Sequence, residues 1–353
     1  MIFQKDLIAN SWSGKSQHKE VAASRVAANR HNSGLAVNAR SLHANEGIIP
    51  QDVYQAFDNV TVERFRSDDG DVFLNDLLPF SRSLNIGKTV HKFRQSSDAG
   101  NAQTSMTGQL GVKMDQTENT YDGSIVPIHD TGYSRNFREW PAMTSEGFDG
   151  LIDDQRESVA TIRRHIADAF LDGHRDSDNQ FIVVDGLSWQ GMRADSRVAS
   201  INTGTSGINF DFTDNTKTGA EIKAAFIQLR DVMWITNNCG KDLTYYISRE
   251  VASNWERKFS AQYDAKLIMQ ELGSLMGVAS IKVSSKLSGN EIMGFPLDAD
   301  SIRPMVGMAL NTVTMPRPHY NSNYEFVVWG AIGFEVRTDY FGNTCAFFAQ
   351  DLG

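Results

Sequence analysis

The sequence predicts an α+β fold, and three stretches carry that prediction. Residues 145–172, "SEGFDGLIDDQRESVATIRRHIADAFLD", place Phe148, Ile152, Val159, Ile162, Ile166 and Phe170 at helical spacing, with Leu151 and Ala169 beside the same stripe. Residues 324–336, "YEFVVWGAIGFEV", alternate instead. Tyr324, Phe326, Val328, Gly330, Ile332, Phe334 and Val336 fall on one set, and Val327, Trp329 and Ala331 on the other, as in a strand covered on both faces at its centre. Between them in type is a ribbon: two strand-like runs around residues 86–93 and 125–133 flank about thirty residues poor in apolar groups. Ordinary connections run to about 4 to 6 residues, and a two-stranded ribbon is not stable alone, so this one needs a surface to lie on.

The elements follow in order. Residues 15–45 are rich in Ala, Ser, Asn and Arg and form no core, which is the composition of an arm that docks elsewhere. A helix is expected from about Pro50, and a short one near Val72–Leu78, stopped by Pro79. After the ribbon comes the long spine helix, with Ser145 as N-cap, Glu146 in the first turn and Gly173 at its end. Its 28 residues would span about 42 Å. A short strand is expected at 181–184, a Gly-, Ser-, Thr- and Asn-rich stretch over 186–217, and an amphipathic helix through Ile222, Phe226, Leu229 and Met233. "LTYYIS" reads as a strand, and Ser248 caps the helix after it. A helix near 266–272, strands near 279–283 and 291–295, and the closing strands complete the layout, with Gly342 and Asn343 as the last turn signal.

Composition narrows the function classes. With 353 residues, 41% hydrophobic and 22% charged, the chain is globular and long enough for two or three domains, or one with large insertions. No apolar run reaches a membrane span, and the N-terminus carries no secretory signal pattern. Only Cys239 and Cys345 occur, which excludes a disulfide framework and fits a reducing compartment, so synthesis in a cytoplasm is expected. The net charge of −9 is uneven: residues 1–40 hold six basic and two acidic residues, a net of +4 that leaves −13 for the rest. Such an arm could meet nucleic acid or the acidic body of another copy.

No stretch carries catalytic chemistry. "SGKS" at 13–16 lacks the earlier glycine and preceding strand of a phosphate loop. His165, Asp168, Asp172 and His174 gather at the end of the spine but in no metal-ligand spacing. His129, His319 and Cys239 read as structural, and Asp300, Arg303 and Arg317 as ion-pair formers. Trp12, His18 and the basic arm residues form no aromatic platform for nucleic acid. Met269 and Met276 are too few for a binding stripe, and Met305, Met308 and Met315 read as core. A structural protein without enzyme activity, cofactor or metal is expected.

The order of parts, and three segments, carry a resemblance. "LTYYISREVASNWERKFS" (243–260), "GVASIKVSSKLSGNEIMGFPLDADSIRPMVG" (277–307) and "YEFVVWGAIGFEVRTDYFG" (324–342) resemble the outer-domain strand and helix, the following strand pair and the closing strands of the major capsid proteins of tailed bacteriophages, the Hong-Kong-97 fold. The resemblance implies an N-terminal arm and short helices (1–80), an E-loop ribbon lying across a neighbouring subunit (81–135), a peripheral domain with the spine helix (136–180), a mostly axial domain (181–310) and return strands to the peripheral domain (311–353). It implies hexamers and pentamers in a closed shell within a virion, assembled in a bacterial cytoplasm. The partners implied are scaffolding, portal and decoration proteins and non-specifically contacted DNA, with no membrane. Candidate intersubunit contacts are Arg25, Arg30, Phe93, Arg94, Met114, Tyr121, Arg156 and Arg163. About 45 residues precede Ile48, too few for a long attached scaffold, and Lys88, Lys92 and Lys113 in or near the ribbon have no identifiable crosslinking partner. Encapsulins, the shells of bacterial nanocompartments, share the fold and are the alternative.

Overall fold

The computed structural model describes residues 72–352 apart from 101, 103, 108–110, 112–113, 146–149 and 261–265. The basic arm with Arg25 and Arg30, the helix expected from Pro50, and Glu146 and Phe148 lie outside the described residues. The described chain begins with helix α1 (Val72–Leu77), which buries Phe73, Leu74 and Leu77, and a single 3-10 turn, Leu78–Phe80. Pro79 sits inside that turn, where its missing N–H costs no helical hydrogen bond.

The ribbon is β2 (Val90–Ser96) paired antiparallel with β3 (Asn119–Ile125), in the register Val90↔Ile125 to Ser96↔Asn119. The return strand therefore comes earlier than the sequence suggested. Pro127 divides the expected run: it offers no ladder N–H, so β3 ends at Ile125 and a separate strand, β4 (Ile128–Arg135), pairs elsewhere.

The spine is helix α3 (Gly150–Asp172), preceded by a separate helix α2 (Glu139–Ser145). Ser145 thus belongs to α2, and the spine helix begins after it at Gly150. Leu151, Val159, Ile162, Ile166, Ala169 and Phe170 are buried on one face, and Ile152 is only partly so. Gly173, at φ +87°, closes the helix with its N–H on the Ala169 carbonyl at 3.0 Å; a side chain there would strike Gln190.

Against the spine lies a four-stranded sheet of order β1-β9-β10-β4, formed by β1 (Arg82–Ser83), β9 (Ile302–Thr314) and β10 (Tyr324–Val336) with β4. β10 runs antiparallel to both β9 and β4. Phe326 and Val328 point into the core, whereas Val327 and Trp329 stay partly exposed; from Gly330 onward every residue of β10 is buried. The expected double cover is thus real for the second half of the strand alone. At Gly333 the end of β3 crosses so closely that a Cβ would lie 2.2 Å from the Ile125 carbonyl oxygen.

A five-stranded sheet of order β5-β11-β8-β6-β7 forms the other half, from β5 (Ala199–Asn202), β6 (Leu243–Ile247), β7 (Val278–Val283), β8 (Ile292–Phe295) and β11 (Phe347–Gln350). Alternate residues enter different cores. Tyr245, Ile247, Ile292 and Phe347 pack on the helices α4 (Gly219–Asp231), α5 (Arg249–Trp255) and α6 (Ile268–Gly273), while Tyr246, Met293 and Phe348 join the spine cluster. Thr218 and Glu221 form a capping box on α4, and the Ser248 hydroxyl accepts from the Val251 N–H to cap α5.

Three expectations are corrected here. The terminal strand β11, expected among the strands returning to the spine, enters this sheet and not the four-stranded one. Residues 181–184 form no strand. Asp185 and Gly186 (φ +54° and +75°) turn the chain back at once, leaving isolated bridges. Met305 is core as expected, but Met315 is 49% exposed on the outer face of the sheet.

Candidate intersubunit interface

The ribbon is held at its root and released at its tip. Glu335, fully buried on β10, accepts from Arg303 Nη2 at 2.8 Å and lies 2.5 Å from Nδ1 of His91 on β2. Gln95 Nε2 donates to the Thr338 carbonyl and hydroxyl at 3.0 and 2.7 Å. Tyr340 donates its hydroxyl to Glu118 at 2.8 Å. Arg337 covers the Phe93 ring at 5.1 Å, and Arg197 donates to the Gly123 carbonyl. Residues 335–340 are thus a strap under the ribbon. Hairpin bonds continue to Ser97 and Glu118, and beyond them the described residues of the tip are exposed, Met106 and Met114 almost completely.

The second surface is the side of the four-stranded sheet turned away from the spine. Ile128 and Asp130 of β4, Val327 and Trp329 of β10, and Val313 of β9 with Met315 beyond it line a shallow depression of about 330 Å³. Ile128 is 57% exposed and Val313 43%, so among the described residues this apolar face is uncovered. Strand alternation made these residues identifiable, but only the sheet order shows that nothing in the described chain packs on them.

The candidate contacts divide accordingly. Arg94 and Tyr121 are exposed and stand directly opposite each other across the ribbon. Met114 is exposed at the tip, and Arg156 on the outer spine, 3.9 Å from Asp153. Phe93 and Arg163 are corrections: both are buried within the subunit. Phe93 lies on the inner side of the ribbon under Arg337, and Arg163 shares the buried face of the spine with Ile162 and Ile166, where Nη2 donates to Asn75 at 2.9 Å. Helical spacing marks that face, and Arg163 falls within its arc despite its charge.

The histidines at the end of the spine meet one that the sequence left apart. His129 on β4 packs its ring 5.2 Å from that of His165 and 5.3 Å from that of His174. Burial, then repulsion from His165, lowers the His129 pKa to about 4, against the pull of the Ile332 carbonyl and Asp130. Burial drives His174 well down too, with His129 and His165 adding to it. Among the described residues no group of His, Cys, Asp and Glu is arranged to hold a metal ion. No described helix is long and apolar enough to cross a membrane.

The two cysteines, read from the sequence as excluding a disulfide framework, are joined. Cys239 and Cys345, 106 residues apart, form a disulfide with Cα atoms 5.4 Å apart. Their approach is a product of the fold, because Cys345 arrives with β11 in the sheet beneath α4.

The chain matches a family of unknown function, DUF6260, over residues 43–349. It belongs to that family. No curated protein matches this DUF6260 chain in sequence. Its structure is similar to the capsid of Myoviridae phage XM1, with TM-score 0.62 and 13% identity, over 90% of this chain and 100% of that one. It is also similar to a virus-like particle from Pyrococcus furiosus, with TM-score 0.51 and 10% identity, over 84% of this chain and 99% of that one. The DUF6260 chain has the Hong-Kong-97-type α+β fold that its order of parts resembled.

Proposed function

We propose that the protein is a major capsid protein, a structural and non-catalytic subunit that assembles with copies of itself into the icosahedral shell around a tailed phage's double-stranded DNA. The observation that carries this reading is a ribbon strapped at its root by Glu335, Thr338 and Tyr340 while its tip holds Met106 and Met114 in solvent. The uncovered sheet face around Trp329 is its counterpart on the next subunit. Arg94 and Tyr121 form one cross-strand pair, Asp130 and Trp329 another, and the two pairs are complementary in charge and both aromatic. A contact between two different patches is heterologous, and where its rotation closes it forms rings such as hexamers and pentamers.

In this reading the spine and four-stranded sheet form the peripheral domain, residues 181–301 with β11 form most of the axial domain, and the arm with Arg25 and Arg30 reaches neighbours or DNA. Arg156 is a further contact. Scaffolding, portal and decoration proteins are the partners of such a shell, its place is the virion, and its assembly belongs to the host cytoplasm. The test is Trp329→Glu beside wild type, followed by sedimentation and electron microscopy. Wild type forms closed shells, and the variant remains folded subunits. A wild type that stays monomeric with its scaffold overturns the capsid reading, and normal shells from the variant overturn the sheet face as receptor. The likeness to the Pyrococcus particle favours a second reading, a nanocompartment shell. Protein cargo in place of DNA in purified shells would establish it.

A further inference from the structure

Cys239 and Cys345 differ in access. Cys239 is 2% exposed in the core under α4, whereas Cys345 is only partly buried and forms part of the wall of an open cleft of about 290 Å³. The ribbon root and the strap share that wall, through Arg94, Arg337 and Thr338. The strap ends in a tight turn: the Asp339 N–H bonds the Asn343 carbonyl at 3.0 Å, the Asn343 N–H bonds the Asp339 carboxylate at 2.7 Å, and Gly342 has φ +83°. Cys345 follows two residues after Asn343. The disulfide therefore fixes one end of the segment whose other end holds Gln95, Phe93 and Glu118 of the ribbon. Cys239 is itself preceded by Asn238 at φ +48°, in the left-handed region that asparagine tolerates in turns.

We propose that this pair is a redox-gated brace for the ribbon, open as a dithiol where thiols are kept reduced and closed by exchange with a small disulfide that enters the cleft. With glutathione disulfide as oxidant, the Cys345 thiolate attacks one glutathione sulfur and releases one glutathione thiolate. Cys239, behind it, attacks the Cys345 sulfur of the mixed disulfide and releases the second. The two protein thiols are oxidised, one glutathione disulfide is reduced to two glutathione thiols, and the two protons go to the leaving thiolates. Compartments rich in glutathione and thioredoxin hold such pairs reduced, and release from them allows closure. The closed brace limits the strap, and through it the angle at which the ribbon leaves the body. Its use in locking a finished shell rests on the capsid reading, but the brace itself belongs to the single subunit.

The test uses the full chain in reduced and glutathione-disulfide-treated form, with thiols counted by alkylation and mass spectrometry and backbone hydrogen exchange followed by segment. Closure should consume both thiols and slow exchange by about tenfold in residues 337–345 and in the ribbon root, with helix α4 changed less at its start than the strap. The melting temperature should rise by roughly 5–10 °C. Cys345→Ser should behave as the reduced protein under both treatments. Exchange in the ribbon root that is the same in both redox forms overturns the brace. So does a disulfide that millimolar glutathione leaves intact in the native protein, since it would then be a fixed staple and not a gate. Failure of either form to make shells bears on the capsid reading alone, because exchange is read on subunits.

Discussion

Lowering the pH from 7 to 5 should weaken the subunit through the histidines between spine and sheet, before most carboxylates titrate. His129 has a folded-state pKa of about 4, below its usual 6.5, because burial and His165 oppose the charged ring. The unfolded chain therefore takes up a proton in the window from 6.5 down to 4 that the folded chain refuses. The stability from this group is fully present above pH 6.5 and lost as pH falls towards 4. A shift of about 2.5 units at 1.36 kcal/mol each bounds the full loss at about 3 kcal/mol, of which about 2 kcal/mol is gone at pH 5. The groups facing the ring are His165 on the spine, His174 just after it, the Ile332 carbonyl on β10 and Asp130 on β4. Only Asp130 is acidic, and its attraction ranks last among the influences. His129→Gln keeps a donor for the Ile332 carbonyl but cannot titrate. Urea unfolding of both proteins at pH 7 and pH 5 measures the effect: the wild type should lose about 2 kcal/mol more than the variant between the two. Equal losses would refute the reasoning and place the acid sensitivity of the subunit elsewhere.

Three further outcomes are expected. Ile162→Asp puts an unpaired carboxylate on the buried face of the spine at a cost of several kcal/mol, so the protein should be insoluble or unfolded; wild-type solubility with normal shells would contradict the packing. Deleting residues 98–117 and joining Ser97 to Glu118 by a short turn should leave circular dichroism and melting nearly unchanged while abolishing shells in sedimentation, and an unfolded product would show that the tip supports its own subunit. Glu335→Ala strands Arg303 in the core and frees His91, which should cost about 3–5 kcal/mol in chemical unfolding and speed proteolysis of the ribbon; an unchanged unfolding midpoint would remove Glu335 as the ribbon's anchor.

Local chemistry was enough to mark several elements. The spine stripe through Ile162, Ile166 and Phe170, its end at Gly173, the Ser248 cap and the alternation from Tyr324 to Val336 are set by residues within a turn or two of one another. The order of parts carried the Hong-Kong-97 resemblance, and with it the fold. What the sequence left open is nonlocal. Pro127 was visible, but that β4 leaves the ribbon to pair with β10 depends on a strand about two hundred residues away. Nor could composition show that β11 pairs with β5 and β8 and thereby carries Cys345 to Cys239. Arg163 was read as a surface charge because its polar partner, Asn75, lies on another helix 88 residues earlier. The face around Trp329 was read as covered because alternation records only that a residue is apolar, while cover depends on what the sheet meets, and none of the described residues packs on it.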